Sequence, residues 1–489
     1  MQILRILNLF YIGIICSGLL CACAVNPVSG GLDFVTMSEQ QEIQLGAKYH
    51  HQILAKYGVY DDAELQDYIS QLGRELAAQS HRKDLIYRFT VLDSPEVNAF
   101  ALPGGYVYIT RGILAYLNSE AEAGGVLGHE IGHVTARHGV KQQSVATAAQ
   151  IFSTVVAIGT GSQTYADLSN ILGGALLSGY GRDQELEADR LGAQYISNAG
   201  FNSDEMLEVI GLLKDQEEFA KQRAKTEGAE QQSYHGVFAS HPRNDQRLQE
   251  VVNSVENRPA ATTGRDSGNE RYLQKLDGLI FGQNPDQGLI RNKQFLHPVL
   301  GIVFNLPEGW RTQNLSDRFM LQSPDKKALL QLTVADLHKH ETPRDYLHRV
   351  LKEPETEQEE GLQVNGLRAH SLVRLIRTEG GKAKARYTVI FHGEKAYMIV
   401  GGVESQADFE SHDGIFLSTV KSFHRMNEQE RKLAKPYRLK LYRSKPGDTY
   451  AKLAQKIPLP DYREEQLRLL NGDYPDKPLT AGRLIKLVE

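Results

Sequence analysis

Residues 129–133 read His-Glu-Ile-Gly-His. On a helix, positions i and i+4 lie one turn apart on the same face. The imidazoles of His129 and His133 can therefore grip one metal ion, with Glu130 between them and beside the water that would attack a substrate. This spacing suits metal-assisted hydrolysis of a peptide bond, with Glu130 as general base. A hydrolytic zinc takes three protein ligands and keeps one position open, so a third ligand is needed. Glu185 is the best candidate, in the run from Gly181 to Asp189. Glu185 and Asp189 are again i and i+4 and share one face of a second helix. Asp189 can then accept a hydrogen bond from the far nitrogen of a ligand histidine and fix its tautomer. Glu187 is expected to point elsewhere on that helix. A solvated acidic helix face has the same composition, so the pair gains its meaning from the first motif.

The elements that must position these groups are legible too. Glu120 and Glu122 are acidic residues suited to a helix N-terminus, and Val126, Leu127, Ile131 and Val134 supply an apolar stripe. Upstream, Asn98 to Leu102 reads as a strand, Pro103-Gly104-Gly105 as a tight turn and Tyr106 to Thr110 as a returning strand.

Together these motifs resemble metallopeptidase family forty-eight, gluzincins of the HtpX, CAAX prenyl protease and BepA type. The resemblance rests on His129 to His133, on Glu185 with Asp189 beginning 52 residues after His133, on Ser94 to Arg111, and on Ser240-His241-Pro242 with Arg247. It covers about residues 27 to 255. Gly181 departs from the pattern, which has a serine before Arg182. The resemblance implies that His129, His133 and Glu185 bind one Zn2+ per chain, with Glu130 as general base and Asp189 orienting a ligand histidine. It implies that His241 can approach the metal as a regulatory fourth ligand; His235 competes for that role. Arg182 or Arg247 would stabilise the oxyanion or support the site. Asn98, Ala99, Phe100 and Ala101 would form an edge strand beside the metal. An extended substrate can pair with such an edge through main-chain hydrogen bonds, which suits unfolded polypeptides.

The chain has 489 residues and a net charge of −5. Length sets a prior of about three domains. The charge and the lack of a long basic run argue against nucleic acid as a partner. Its cysteines are Cys16, Cys21 and Cys23. Residues 1–22 are mostly apolar and look like a secretory signal. Leu20-Cys21-Ala22-Cys23 resembles a bacterial lipobox, with lipid on Cys23. Ala24 follows in place of the aspartate associated with inner-membrane retention. The resemblance implies a lipid-anchored protein in the periplasm, on the inner leaflet of a Gram-negative outer membrane. An uncleaved anchor is the alternative, though about 20 apolar residues is borderline for a span.

The peptidase segment is expected over 23–256. Within it, Ala146 to Tyr180 is apolar but interrupted by Gly159-Thr160-Gly161, and reads as two amphipathic helices rather than a span. Residues 257–290 read as a linker and connecting helix, the helix running from Tyr272 to Phe281. Residues 291–430 read as a small α+β domain on an antiparallel sheet, loosely similar to PsbP-like domains, with helices at Pro343 to Leu351 and Gln406 to Val420. From 437 to 489 the order is strand, helix, helix, strand, with Pro446-Gly447-Asp448-Thr449 and Asn471-Gly472 at the turns. This βααβ segment resembles a LysM domain, which implies binding of peptidoglycan-type glycans. Tyr450, where leucine is usual, and the inserted Pro458-Leu459-Pro460 depart from that pattern.

The expected fold class is thus α+β and multidomain: a mainly helical zincin-type peptidase with a small edge-strand sheet, a small α+β antiparallel-sheet domain, and a LysM-like domain. The expected function is zinc-dependent cleavage of misfolded or stalled envelope proteins, a quality-control role. No tetratricopeptide-type period follows the peptidase segment. A chaperone-like or peptidoglycan-binding scaffold with a mostly latent zinc site is the alternative, and a Glu130→Gln comparison separates the two.

Overall fold

The computed structural model describes residues 23–35, 37–144, 180–227, 265–315, 317–338, 340–352, 356–378 and 381–489. The expected signal segment, the two helices expected within 146–179, linker residues 257–264, His235, His241 and Arg247 lie outside the described residues. Among the described residues no helix is long and apolar enough to cross a membrane. The chain divides into two compact units, one holding residues up to 54, 59–281 and 437–489, the other 55–58 and 282–436.

The first unit opens with an antiparallel pair, β1 (Cys23–Val25) and β2 (Leu32–Phe34). Helices α1 (Glu39–Tyr57), in this unit as far as Leu54, and α2 (Ala63–Ala77) follow. Asp62 caps α2 by accepting from the Leu65 N–H at 3.0 Å, which satisfies an otherwise orphaned donor. Leu65, Ile69, Leu72 and Leu76 form the buried stripe of α2. Strands β3 (Arg88–Leu92), β4 (Ala99–Leu102) and β5 (Tyr106–Thr110) make a sheet ordered β3-β5-β4, with β3 parallel and β4 antiparallel to β5. β4 therefore lies on the edge. The turn after it needs left-handed backbone at Gly104 and Gly105, with φ of 80° and 90°, which glycine adopts without steric cost.

Short helix α3 (Arg111–Tyr116) leads to α4 (Glu120–Thr135), which carries the two histidines. Ser119 caps α4, accepting from the Glu122 N–H at 2.9 Å. Every residue of α4 except Glu122 is buried, so the apolar stripe read from sequence understates it: α4 is covered on all sides. Helices α5 (Arg182–Asn198), α6 (Glu205–Glu227) and α7 (Asn269–Leu276) and strand β6 (Ile280–Phe281) complete this part. The helix expected from Tyr272 to Phe281 stops at Leu276. Gly278 turns the chain at φ 84° and its N–H bonds to the Leu439 carbonyl, so Ile280 and Phe281 join a sheet instead.

The second unit is an antiparallel α+β structure. Strands β7 (Leu289–Arg291), β8 (Gln294–His297) and β9 (Ile302–Asn305) pair in sequence. Strands β10 (Arg311–Asn314), β11 (Phe319–Gln322), β12 (Ala328–Asp336), β13 (Gln358–Val364), β14 (Leu367–Thr378), β15 (Gly381–His392) and β16 (Lys395–Val403) form a seven-stranded sheet ordered β10-β11-β12-β16-β15-β14-β13. Helix α8 (Pro343–Leu351) crosses over between β12 and β13, and α9 (Phe409–Ser422) follows β16. A Cβ at Gly401 would lie 2.4 Å from the Phe416 ring, so a glycine is what lets α9 seat on β16. Strand β17 (His424–Arg425) adds to β9, and helix α10 (Glu428–Leu433) closes the unit.

The chain then returns to the first unit. Strand β18 (Tyr437–Arg443) pairs antiparallel with both β6 and β19 (Leu484–Val488). Helices α11 (Tyr450–Ala454) and α12 (Arg463–Leu470) lie between β18 and β19, giving the expected β-α-α-β order. Leu439, Tyr450, Leu467, Leu470 and Ile485 share one buried core with Leu72, Ile113, Leu127 and Tyr272. The Lys486 ammonium is buried and lies 2.7 Å from the carbonyl oxygens of Ala115 and Leu117. Those carbonyls sit at the C-terminal end of α3, where a cation is favoured. Burial lowers the Lys486 pKa to about 7 and raises that of Glu122, at the start of α4, to about 7.

Candidate metal centre

The metal-type side chains come from two helices that pack unusually closely. A Cβ at Gly128 would lie 3.2 Å from Gly192 Cα, and one at Gly132 would lie 3.0 Å from the Ala188 carbonyl oxygen. Backbone meets backbone there because α4 presents glycine to glycine and alanine on α5. That approach lets short carboxylates on α5 reach imidazoles on α4.

His129 Nε2 and His133 Nε2 lie 2.9 Å apart. Glu185 places Oε2 3.5 Å from His129 Nε2 and Oε1 3.5 Å from His133 Nε2. All three side chains are buried, and their ligand atoms lie within 4.8 Å of one another. Among the described residues this is the one triad so arranged. With ligand bonds of about 2.0–2.2 Å, a tetrahedral zinc holds its ligand atoms about 3.3 Å apart. The three spacings lie either side of that value, and the donor set of two imidazoles and a carboxylate is one zinc takes in hydrolases. The residues fit the metal.

Asp189, one turn beyond Glu185, sets Oδ1 2.8 Å from His129 Nδ1. Burial opposes charge on His129, but hydrogen bonds to Asp189 and Glu185 outweigh it and lift its pKa to about 10. The pocket thus favours a positive charge where the imidazoles meet. Glu130 is buried on the same helix.

The structure adds residues that the sequence reading missed. His133 Nδ1 lies 2.9 Å from His138 Nδ1, and His138 Nε2 lies 3.1 Å from Glu187 Oε2. Glu187 therefore does not point away: it reaches back to the site through His138. Positions 133 and 138 are five apart, which is not a helix-face spacing. The contact forms because α4 ends at Thr135 and Arg137 adopts a left-handed backbone, φ 56°, before residues 138–144 turn helical again. Tyr180, just before α5, stacks on His133 with ring centroids 3.9 Å apart and planes 17° from parallel. Burial, with Glu130 and Glu185 nearby, pushes the Tyr180 hydroxyl pKa up.

Of the other expected groups, Ala99, Phe100 and Ala101 lie on edge strand β4, and Asn98 is buried immediately before it. Ala101, Leu102 and Pro103 line a small cavity together with His133, Val134 and Tyr180. The edge is tied to the end of α4 by a buried ionic cluster. Glu42 Oε1 accepts from the Gly104 N–H at 3.2 Å and from Arg82 Nη1 at 2.8 Å, while Oε2 accepts from Arg137 Nε at 3.0 Å. Arg82 also donates to the Val134 carbonyl at 3.1 Å. Arg182 is not drawn in: its side chain is exposed, with Nε 3.8 Å from Asp183.

Residues 63–255 match the family described as Peptidase family M48. A beta-barrel assembly-enhancing protease of Yersinia pestis is 29% identical over 258 residues, 50% of this chain and 51% of that protein. A mitochondrial metalloendopeptidase OMA1 of Arabidopsis thaliana is 30% identical over 145 residues, 29% of each chain. The chain spans about half the length, or less, of these curated relatives. The solution structure of cyanobacterial PsbP from Synechocystis sp. PCC 6803 overlaps 27% of this chain and 91% of its own at 12% identity and a TM-score of 0.23.

Proposed function

This chain belongs, through residues 63–255, to peptidase family M48, and we propose from that premise that it is a zinc-dependent endopeptidase of the bacterial envelope. The observation that carries the reading is the buried convergence of His129, His133 and Glu185. These three residues would hold one zinc, which when bound would polarise the scissile carbonyl and make water a better nucleophile. Glu130 takes the proton from the attacking water at its carboxylate. Asp189 holds His129 with Nε2 facing the cluster. Tyr180 covers one face of His133 and keeps water from it. Substrate lies extended along β4 and pairs with its main chain, so selection falls on unfolded polypeptide rather than on a particular sequence.

The relatives named as beta-barrel assembly-enhancing proteases support misfolded or stalled envelope proteins as substrates. We place the protein in the periplasm, lipid-anchored through Cys23 to the outer membrane; Cys23→Ser would then release it in soluble form. The segment 437–489 is a LysM-like module whose ligand would be peptidoglycan, and pull-down on isolated cell wall tests it. His241 is the regulatory fourth ligand: His241→Ala should keep zinc and raise cleavage. Arg247 is left as the better oxyanion candidate, because Arg182 is exposed.

The deciding experiment measures zinc content and cleavage of unfolded casein for the parent and Glu130→Gln. A bound zinc in both, with cleavage lost by about 10²–10⁴-fold in the variant, is expected. Equal cleavage by the two proteins would overturn the reading.

A further inference from the structure

Resting on the zinc centre proposed above, we infer that His138 and Glu187 form a two-residue relay that positions His133 as a metal ligand. His133 turns Nε2 toward His129 and Glu185. If Nε2 binds the metal, the ring is neutral and its proton sits on Nδ1. That nitrogen faces His138 Nδ1, 2.9 Å away. Two protons cannot share that gap, so His138 Nδ1 must be the acceptor. Its own proton is then on Nε2, which points at Glu187 Oε2, 3.1 Å away. The proton positions along His133, His138 and Glu187 are thus fixed one by another, ending at a carboxylate.

His138 is completely buried and the Glu187 side chain is 24% exposed, so the relay runs from the centre to the surface. It is the counterpart of the Asp189 contact to His129, with one imidazole inserted. Both supporting carboxylates come from α5, two residues apart, on the helix that also carries Glu185. One helix thus supplies a ligand, the carboxylate that meets His129 directly and the carboxylate that backs His133 through His138. Outer partners of this kind fix ring orientation and raise ligand basicity. His138 and Glu187 act through His133 and are positioning residues.

The test measures zinc affinity of refilled, metal-free protein by chelator competition, for the parent, Glu187→Ala, Glu187→Gln, His138→Phe and the double variant His138→Phe/Glu187→Ala. The visible spectrum of the cobalt-loaded protein reports ligand geometry separately from activity. Losing an outer partner weakens metal binding about 10- to 100-fold. We expect that loss in His138→Phe and Glu187→Ala, with a shifted cobalt spectrum. Glu187→Gln keeps an acceptor oxygen for His138 and should recover most of the affinity. The double variant should bind no worse than His138→Phe, because one relay is broken once. The relay is wrong if the single variants hold zinc within about twofold of the parent, or if Gln and Ala at 187 behave alike. Should His138→Phe fail to fold, the comparison of Ala with Gln at 187 decides alone. A parent that holds no zinc would instead bring down the zinc reading itself.

Discussion

Asp189 Oδ1 lies 2.8 Å from His129 Nδ1, and both side chains are buried. The contact leaves the other ring nitrogen of His129 facing His133 and Glu185. Asp189→Asn keeps the size of the side chain but can present its amide NH2 to the ring, favouring the wrong tautomer. We expect zinc affinity to fall about 10- to 100-fold, read by chelator competition. Unchanged affinity would mean that Asp189 does not set the tautomer.

The ligand and base assignments separate cleanly. His133→Ala removes a ligand and should lose most bound zinc, measured by elemental analysis. Glu130→Gln should keep the zinc and lose cleavage by about 10²–10⁴-fold. Full zinc retention in His133→Ala would sink the ligand set.

How much of this could be read from the chain depends on the range of the interaction. His129 with His133, and Glu185 with Asp189, are pairs within one helix, and one-turn periodicity exposes them. The hairpin from Ala99 to Thr110 is local too and is marked by Pro103-Gly104-Gly105. Packing between distant segments leaves no such mark. The close approach of α4 and α5 rests on Gly128, Gly132 and Gly192, three glycines whose pairing only the fold reveals. His138 escapes a reading by periodicity because its contact needs α4 to end and the chain to reverse at Arg137. The role of β3 as a parallel partner of β5, and that of Lys486 beneath α3, join residues far apart in sequence.

The C-terminal segment should contribute to the stability of the first unit. Lys486→Met keeps most of the apolar stem but takes the donor from the Ala115 and Leu117 carbonyls. A buried acceptor left unmatched costs about 1–3 kcal/mol. We expect a loss of about 3 kcal/mol in urea unfolding of the first unit, and deletion of 437–489 should be worse because it strips Leu439, Leu467 and Ile485 from the shared core. A Lys486→Met protein as stable as the parent would remove the lysine from this account.

Glu42 should matter to both stability and substrate geometry. It pairs with both Arg82 and Arg137 and holds the turn at Gly104. Removing one partner of a buried ionic group costs about 3–5 kcal/mol. Glu42→Ala is therefore expected to unfold at lower urea and, where folded, to keep zinc while cleaving unfolded protein more slowly. Parent-like unfolding and cleavage would count against the cluster as the tie between β4 and α4.

The spacing of α4 and α5 gives a paired prediction with opposite signs. Helix propensity alone says that glycine to alanine within a helix should stabilise by about 1 kcal/mol. At Gly211 on α6 nothing lies within 4 Å of an added Cβ, so Gly211→Ala should show a gain of about 0.5–1 kcal/mol. At Gly192 the added Cβ would lie 2.6 Å from Met206 Cε and 2.8 Å from the His129 backbone nitrogen. The methionine end can swing away, but the backbone of α4 cannot without moving the helix. Overpacking of this kind costs about 1–3 kcal/mol, which exceeds the propensity gain. The relief available is for α5 to retreat from α4, and that draws Glu185 and Asp189 away from the histidines. Gly192→Ala should therefore lower both stability and zinc affinity, whereas Gly211→Ala raises stability and leaves zinc affinity alone. Urea unfolding and chelator competition on the two variants read both effects. If Gly192→Ala proves as stable and binds zinc as tightly as the parent, close approach of the two helices is not what sets the ligand geometry.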